Sequence, residues 1–282
     1  MAKVGIVTDS TCDLGPAWLG EHDVVMVPLK VSFGETTYLD WVDLTPEQFY
    51  EKLASSPVLP KTSQPSPADF VAVYERLADE GCEAIVSIHL TSALSGTYES
   101  AIMASQMVSV PVRVVDTRTV TMGTGLAVID AVAARDAGGD ADAVEAAARF
   151  VVEHGRLFFA LDTLEYLVKG GRAGKAQGLA ASLLNIKPVL TFNAEGTIEP
   201  YKKVKGTRKA IAEIAAAASV VGSGKVRIGI LHSGAPELAT ELEAALRDAG
   251  IDHQIVHTVQ VGAVIGTYAG LRAVGAVFCP VP

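Results

Sequence analysis

Apolar residues fall into short runs separated by polar loops along most of the chain. Val4–Val7 stops at Thr8-Asp9-Ser10-Thr11, the pattern of a buried strand feeding a polar loop. Val24–Val27 and Leu29–Phe33 predict further strands broken by Pro28. Thr45-Pro46-Glu47-Gln48 predicts a helix start, with Thr as N-cap, Pro at the first position and Gln48 at the capping-box position. Ser66-Pro67-Ala68-Asp69 repeats that signal ahead of Phe70–Glu80. A strand at Ala84–His89, a helix over Leu94–Val108 and a strand at Val112–Val115 follow, then Ala-rich helices over Met122–Ala137 and Asp142–His154.

From Leu157 a second half begins. Strand-like runs recur at Leu157–Leu161, Lys187–Thr191, Val226–His232 and Gln254–Val259, and helices fit Thr207–Val220 and Pro236–Ala249. Strands alternating with helices predict an α/β protein with a largely parallel sheet. The expected boundary lies near Glu153–Gly155, dividing the chain into residues 1–155 and 156–282. No internal repeat or low-complexity tract is present.

The 282 residues are ample to bury a core without disulfides. Hydrophobic residues make up 49% but aromatics only 6%, so that core is aliphatic. Such an interior suits an alkyl chain as well as solid packing, and composition does not choose between them. The net charge of −9 argues against nucleic acid and against an anionic membrane surface. Cys12, Cys82 and Cys279 are widely spaced and read as reduced thiols of a cytoplasmic protein. No 18-residue apolar run predicts a membrane span, and the chain opens on a strand rather than an apolar signal segment. The six histidines lack metal-ligand or carboxylate-bridged spacing, so no metal or other cofactor is expected. Asp9, Asp13, Asp40 and Asp43 could pair as carboxylates, but nothing in their spacing separates this from loop capping.

Five segments could carry chemistry. Lys61–Ser66 is a polar loop before a helix, where hydroxyls and backbone N–H groups can meet an anion; capping by Ser66 is the competing explanation. Thr91–Tyr98 lies between a strand and a helix, where ligands of open α/β sheets bind. Ser95 in it could be a nucleophile, although Ala93 stands where a nucleophile elbow has glycine. Lys169-Gly170-Gly171-Arg172-Ala173-Gly174-Lys175 fails the phosphate-loop pattern and reads as a glycine turn or as a basic turn touching phosphate or carboxylate. Lys202–Lys209 carries five cations, a solvated face or a docking patch. Val261–Gly270 alternates small and branched residues, which suits tight helix packing or the wall of a slim ligand site.

Taken in order, Val7–Thr11, Thr62–Pro65, Leu94–Tyr98, Val115–Thr117, Lys169–Arg172, Lys187-Pro188 and Gly262…Ile265-Gly266-Thr267 resemble the DegV family from Lys3 to about Phe278. The resemblance implies a two-domain α/β fold: a parallel-sheet α/β/α domain and a second α/β domain with a mixed sheet. One long-chain fatty acid would lie between them. It further implies a lipid carrier rather than an enzyme, the binding subunit of a bacterial fatty acid kinase. The partner kinase converts the bound acid to acyl phosphate for phospholipid synthesis, with at most transient membrane contact for lipid exchange. The family's carboxylate contacts fall on Thr62, Ser95 and Tyr268, where the family pattern has histidine at the last. The residues implied for the phosphate or kinase step are Arg172 and Lys205, the latter in place of arginine. Trp41 stands where relatives usually have glycine, and Arg272 lies in a stretch usually of small residues. Two alternatives stay open: an autonomous acyl hydrolase or transferase using Ser95, and a lipid sensor with a non-kinase partner.

Overall fold

The computed structural model describes residues 3–182, 187–222 and 224–281. In chain order its elements begin β1 (Val4–Asp9), α1 (Gly15–Glu21), β2 (Val24–Val27), β3 (Lys30–Phe33), β4 (Thr36–Leu39) and α2 (Pro46–Ser55). They continue β5 (Lys61–Ser63), α3 (Pro67–Asp79), β6 (Ala84–His89), α4 (Thr97–Ser105), β7 (Val112–Asp116), α5 (Met122–Asp136) and α6 (Ala141–His154). The second half holds β8 (Arg156–Ala160), α7 (Glu165–Lys169), β9 (Lys187–Phe192), β10 (Ile198–Val204) and α8 (Thr207–Ala216). It ends with β11 (Val226–His232), α9 (Pro236–Asp248), β12 (His253–Gln260), α10 (Ala263–Ala269) and β13 (Val274–Pro280).

A parallel sheet of order β2-β1-β6-β7 is buried on both faces. Ile6 of β1 joins the core under α5 and α6, whereas its neighbour Val7 packs with Phe70 and Tyr74 of α3. Alternate side chains therefore meet helices on opposite sides, which is why these strands read as continuous apolar runs. The predicted capping boxes are formed: Thr45 with Gln48 starts α2, and Ser66 with Asp69 starts α3.

The second sheet has the order β10-β9-β8-β13-β11-β12. The mixed sheet implied by the family resemblance is present here, where alternation alone predicts parallel strands: β11–β12 is parallel and the remaining pairings are antiparallel. The cause is β13, a strand not anticipated, which inserts between β8 and β11, together with the β9–β10 hairpin. On β8, Phe158 and Ala160 pack toward α8 and α9, while Leu157 and Phe159 face the core shared with α5 and α6. The bidentate pair of Arg227 on β11 with Asp130 on α5 ties the two sheets' helices and strands together. A small antiparallel sheet, β4-β3-β5, turns the predicted polar loop at Lys61–Ser63 into an edge strand, with Thr62 opposite Val31. No helix of the described residues is long and apolar enough to cross a membrane. Cys12, Cys82 and Cys279 are buried and free.

Candidate functional site

Between the parallel sheet and the inner face of the six-stranded sheet lies a cavity of about 940 Å³, solvent at its mouth included. Its walls are aliphatic and aromatic. Leu157 and Phe159 of β8 line it with Leu161 just beyond, the residues that a period of two places on one face. Leu90, Val120, Val264 and Ile265 face them. No carboxylate and no histidine of the described residues is in the lining.

Four of the polar lining residues, Thr62, Tyr268, Arg172 and Ser95, lie together, and Ser63, Gln64 and Thr121 also line the cavity. Thr62 Oγ1 and Tyr268 OH are 2.6 Å apart, and either can donate. The Arg172 guanidinium lies over the Tyr268 ring, 5.1 Å from its centroid. Its Nη1 donates to Gly170 O at 2.8 Å, and its Nε reaches Leu94 O at 3.4 Å, beside Ser95. Gln64 packs against Gly96, on the other side of Ser95. The structure thus brings Thr62, Ser95, Tyr268 and Arg172 to one end of one cavity, from segments up to 206 residues apart. Lys205 is placed elsewhere: it is exposed and borders a shallow depression with Lys203 and Lys209.

Local contacts explain why these side chains are free for the cavity. In the Thr91–Tyr98 segment, Thr91 bonds Gly196 O and Ser92 bonds Asp116, which leaves Ser95 with only its neighbour Thr97, 2.9 Å away. In the Lys169–Lys175 turn, Lys169 pairs with Glu165 and Lys175 with Glu199. Of the three cations, Arg172 alone is in the cavity lining. Arg172 is half-buried, because the Tyr268 ring and two carbonyls receive it. A side chain at Gly170 would collide with Tyr268, and Gly171 takes φ +72°, which glycine adopts without strain. Val261–Gly270 contributes both to helix packing and to the cavity lining. Gly266 lets α10 approach Phe49, while Val264, Ile265, Tyr268 and Ala269 line the cavity.

A second polar group lies apart from the cavity lining. His89 donates from Nδ1 to Asp9 at 3.0 Å and accepts at Nε2 from Ser87 at 2.7 Å, and Ser87 in turn accepts from Tyr74. This carboxylate-bridged histidine was not visible in the sequence, since Asp9 and His89 are 80 residues apart. Ser87, His89 and Asp9 are fully buried and outside the cavity lining, and among the described residues no histidine bonds Ser95.

Two of the four aspartates considered as pairs also meet, at the start of α10. Asp13 accepts from Gly262 N and Asp40 from Ala263 N, both at 2.9 Å, and each leaves its second oxygen without a partner. Burial pushes both carboxyls up, Asp40 to about 7. Asp43 merely caps its own loop at Leu39 N. An acid whose folded pKa is raised stabilises the fold most below its unfolded value, about 4, and that contribution fades as pH rises through the folded value. Thermal stability is therefore expected to fall between about pH 4 and pH 7. Asp40→Asn keeps the acceptor for Ala263 N without the charge, so it should flatten this slope and be at least as stable as the parent at pH 8. A melting series across that range checks it; parallel slopes for both proteins would refute the assignment.

The chain matches the model described as "Uncharacterised protein, DegV family" over residues 3–281. It is 38% identical over 276 residues to a DegV domain-containing protein of Streptomyces coelicolor, covering 97% of each chain. It superposes with a TM-score of 0.92 and 34% identity on a fatty-acid-binding DegV family protein from Thermus thermophilus, covering 99% of this chain and 100% of that one. A stearic-acid-binding protein from Eubacterium ventriosum matches with a TM-score of 0.83 and 29% identity over 99% and 98% of the two chains.

Proposed function

The chain belongs to the DegV family, and on that premise we propose that it binds one long-chain fatty acid and presents the carboxylate to a partner kinase. The observation that carries the reading is the pairing of a largely aliphatic cavity with the hydroxyls of Thr62, Ser95 and Tyr268 around Arg172. Each methylene buried contributes about 0.8 kcal/mol, so the tail supplies affinity. A carboxylate taken out of water costs several kcal/mol unless donors meet it. Hydroxyls supply those donors without the hold of a tight ion pair. A carboxylate oxygen so held can attack the phosphorus of a phosphoryl donor; the bond from phosphorus to the donor's leaving group breaks, and its electrons depart with that group. Arg172 at the same end provides a cation for the phosphoryl charge. In this reading residues 1–155 and 156–282 form the two domains, and the acid lies between them.

Native mass spectrometry of protein purified from a bacterial host tests the proposal. One non-covalent fatty acid per chain, released on denaturation, is expected. A chain without lipid, or one acylated at Ser95, would overturn it.

A further inference from the structure

We infer that Leu157 and Phe192 form the end wall of the cavity and set the longest acyl chain that the protein retains. The inference rests on the fatty-acid reading and adds the residue pair that measures the tail.

The direction of the cavity follows from β8. Leu157, Phe159 and Leu161 line it in a row, and four residues of strand span about 13 Å. β13 pairs Val274 with Ala160, which sets Ala273 beside Leu161, and α10 with Tyr268 immediately precedes β13, so the Thr62–Tyr268 pair is at the Leu161 end and Leu157 is at the other. The sheet register brings Phe192 to that far end. Phe158 pairs with Thr191, and Thr191 Oγ1 donates to Leu157 O at 2.8 Å, which sets Phe192 beside Leu157. On its other side Phe192 pairs with Ile198, another lining residue. Leu157, Phe192 and Ile198 thus cross three neighbouring strands at one level.

Behind this level lies a second crevice of about 880 Å³, open solvent included, with a mixed lining: Arg118, Glu153, Arg156 and Asn193 contribute to it beside Val151 and Val277. Leu157 and Phe192 line both spaces. Two side chains therefore separate the apolar cavity from a crevice that also carries Arg118, Glu153 and Arg156. Phe192 is half-exposed, its ring 6.0 Å from that of Phe159, so it is a side chain whose size can change without opening the main core. A methyl end that stops at this wall stays in apolar surroundings. A longer chain must displace the Phe192 ring.

The test loads wild type, Phe192→Ala, Phe192→Leu and Phe192→Trp with an equimolar mixture of saturated acids from lauric to behenic, and reads bound masses by native mass spectrometry. Phe192→Ala and Phe192→Leu should shift the retained acids toward chains two or more carbons longer, and Phe192→Trp toward shorter ones, at one acid per chain. Each added methylene that gains burial is worth roughly a fourfold change in relative retention. Full occupancy with the wild-type length distribution in all three variants would overturn the wall and leave the fatty-acid reading intact. A folded Phe192→Ala protein that holds no acid beside a loaded wild type would also overturn it, because the ring would then be needed for binding at all. A wild type that takes up none of the acids would overturn the underlying reading instead.

Discussion

Thr62→Val combined with Ser95→Ala should give a folded protein that no longer keeps a fatty acid through purification. Thr62 lies in the short edge strand β5, and valine preserves its shape and its strand preference. Ser95 is half-buried at a turn, where its hydroxyl meets only Thr97. Neither change opens a void in the core. Each removes a donor to a charged acceptor, worth about 1.5–3 kcal/mol. Together the losses amount to about 3–6 kcal/mol, or two to four decades in affinity. Tyr268 remains, but without Thr62 its phenol loses the partner 2.6 Å away that fixes its direction. Lipid extraction and mass spectrometry, with a melting curve to confirm folding, decide the matter. Unchanged lipid in a folded double variant would remove both residues from the carboxylate site.

The parts of this site that were legible in the sequence are those with local signals. Ser66 and Thr45 start helices through contacts three residues away, and both capping boxes stand as expected. The continuous apolar run Leu157–Leu161 marks a strand, although not which face meets a ligand. What was not legible depends on partners far along the chain. Thr62 reads as part of a loop until β3 is seen pairing with it. Asp9 and His89 look independent, and Asp13 and Asp40 give no sign that they hold the start of a helix more than 220 residues later. Strand β13 inserts into the middle of a sheet whose other members precede it, which no alternation of strands and helices announces. Gln64 carries no local signal, since only its packing on Gly96 places it beside Ser95. Two departures from the family pattern acquire a physical sense. Trp41 and Arg272 take φ of 65° and 62°, the left-handed region where glycine fits best. Both residues sit there under local strain, Arg272 held by its ion pair with Glu237.

Arg172→Ala should separate holding the acid from transferring phosphate to it. The guanidinium is tethered by Gly170 O and Leu94 O and stacks on Tyr268, so it is fixed at the polar end rather than along the tail. Those two carbonyls leave several of its five N–H donors for an incoming anion. The apolar walls and three hydroxyls remain in the variant, and fatty acid content should therefore stay within about twofold of wild type. The stack on Tyr268 is lost, which is a contact of about 0.5–1 kcal/mol at a partly exposed site, too little to empty the cavity. During transfer the charge to be met is larger, because phosphoryl oxygens crowd the carboxylate. Loss of one charged contact there, at least about 1.4 kcal/mol, lowers acyl phosphate formation by tenfold or more. The assay pairs lipid content with acyl phosphate formation in the presence of the cognate kinase. Lys205, exposed beside Lys203 and Lys209, serves as the control: Lys205→Ala leaves lipid content unchanged, since it does not line the cavity. If Arg172→Ala loses its lipid as completely as the hydroxyl double variant, the guanidinium is itself a carboxylate ligand. If both lipid and transfer are unchanged, its tether to the two carbonyls is its whole role, and the cation for the phosphoryl group must come from the partner.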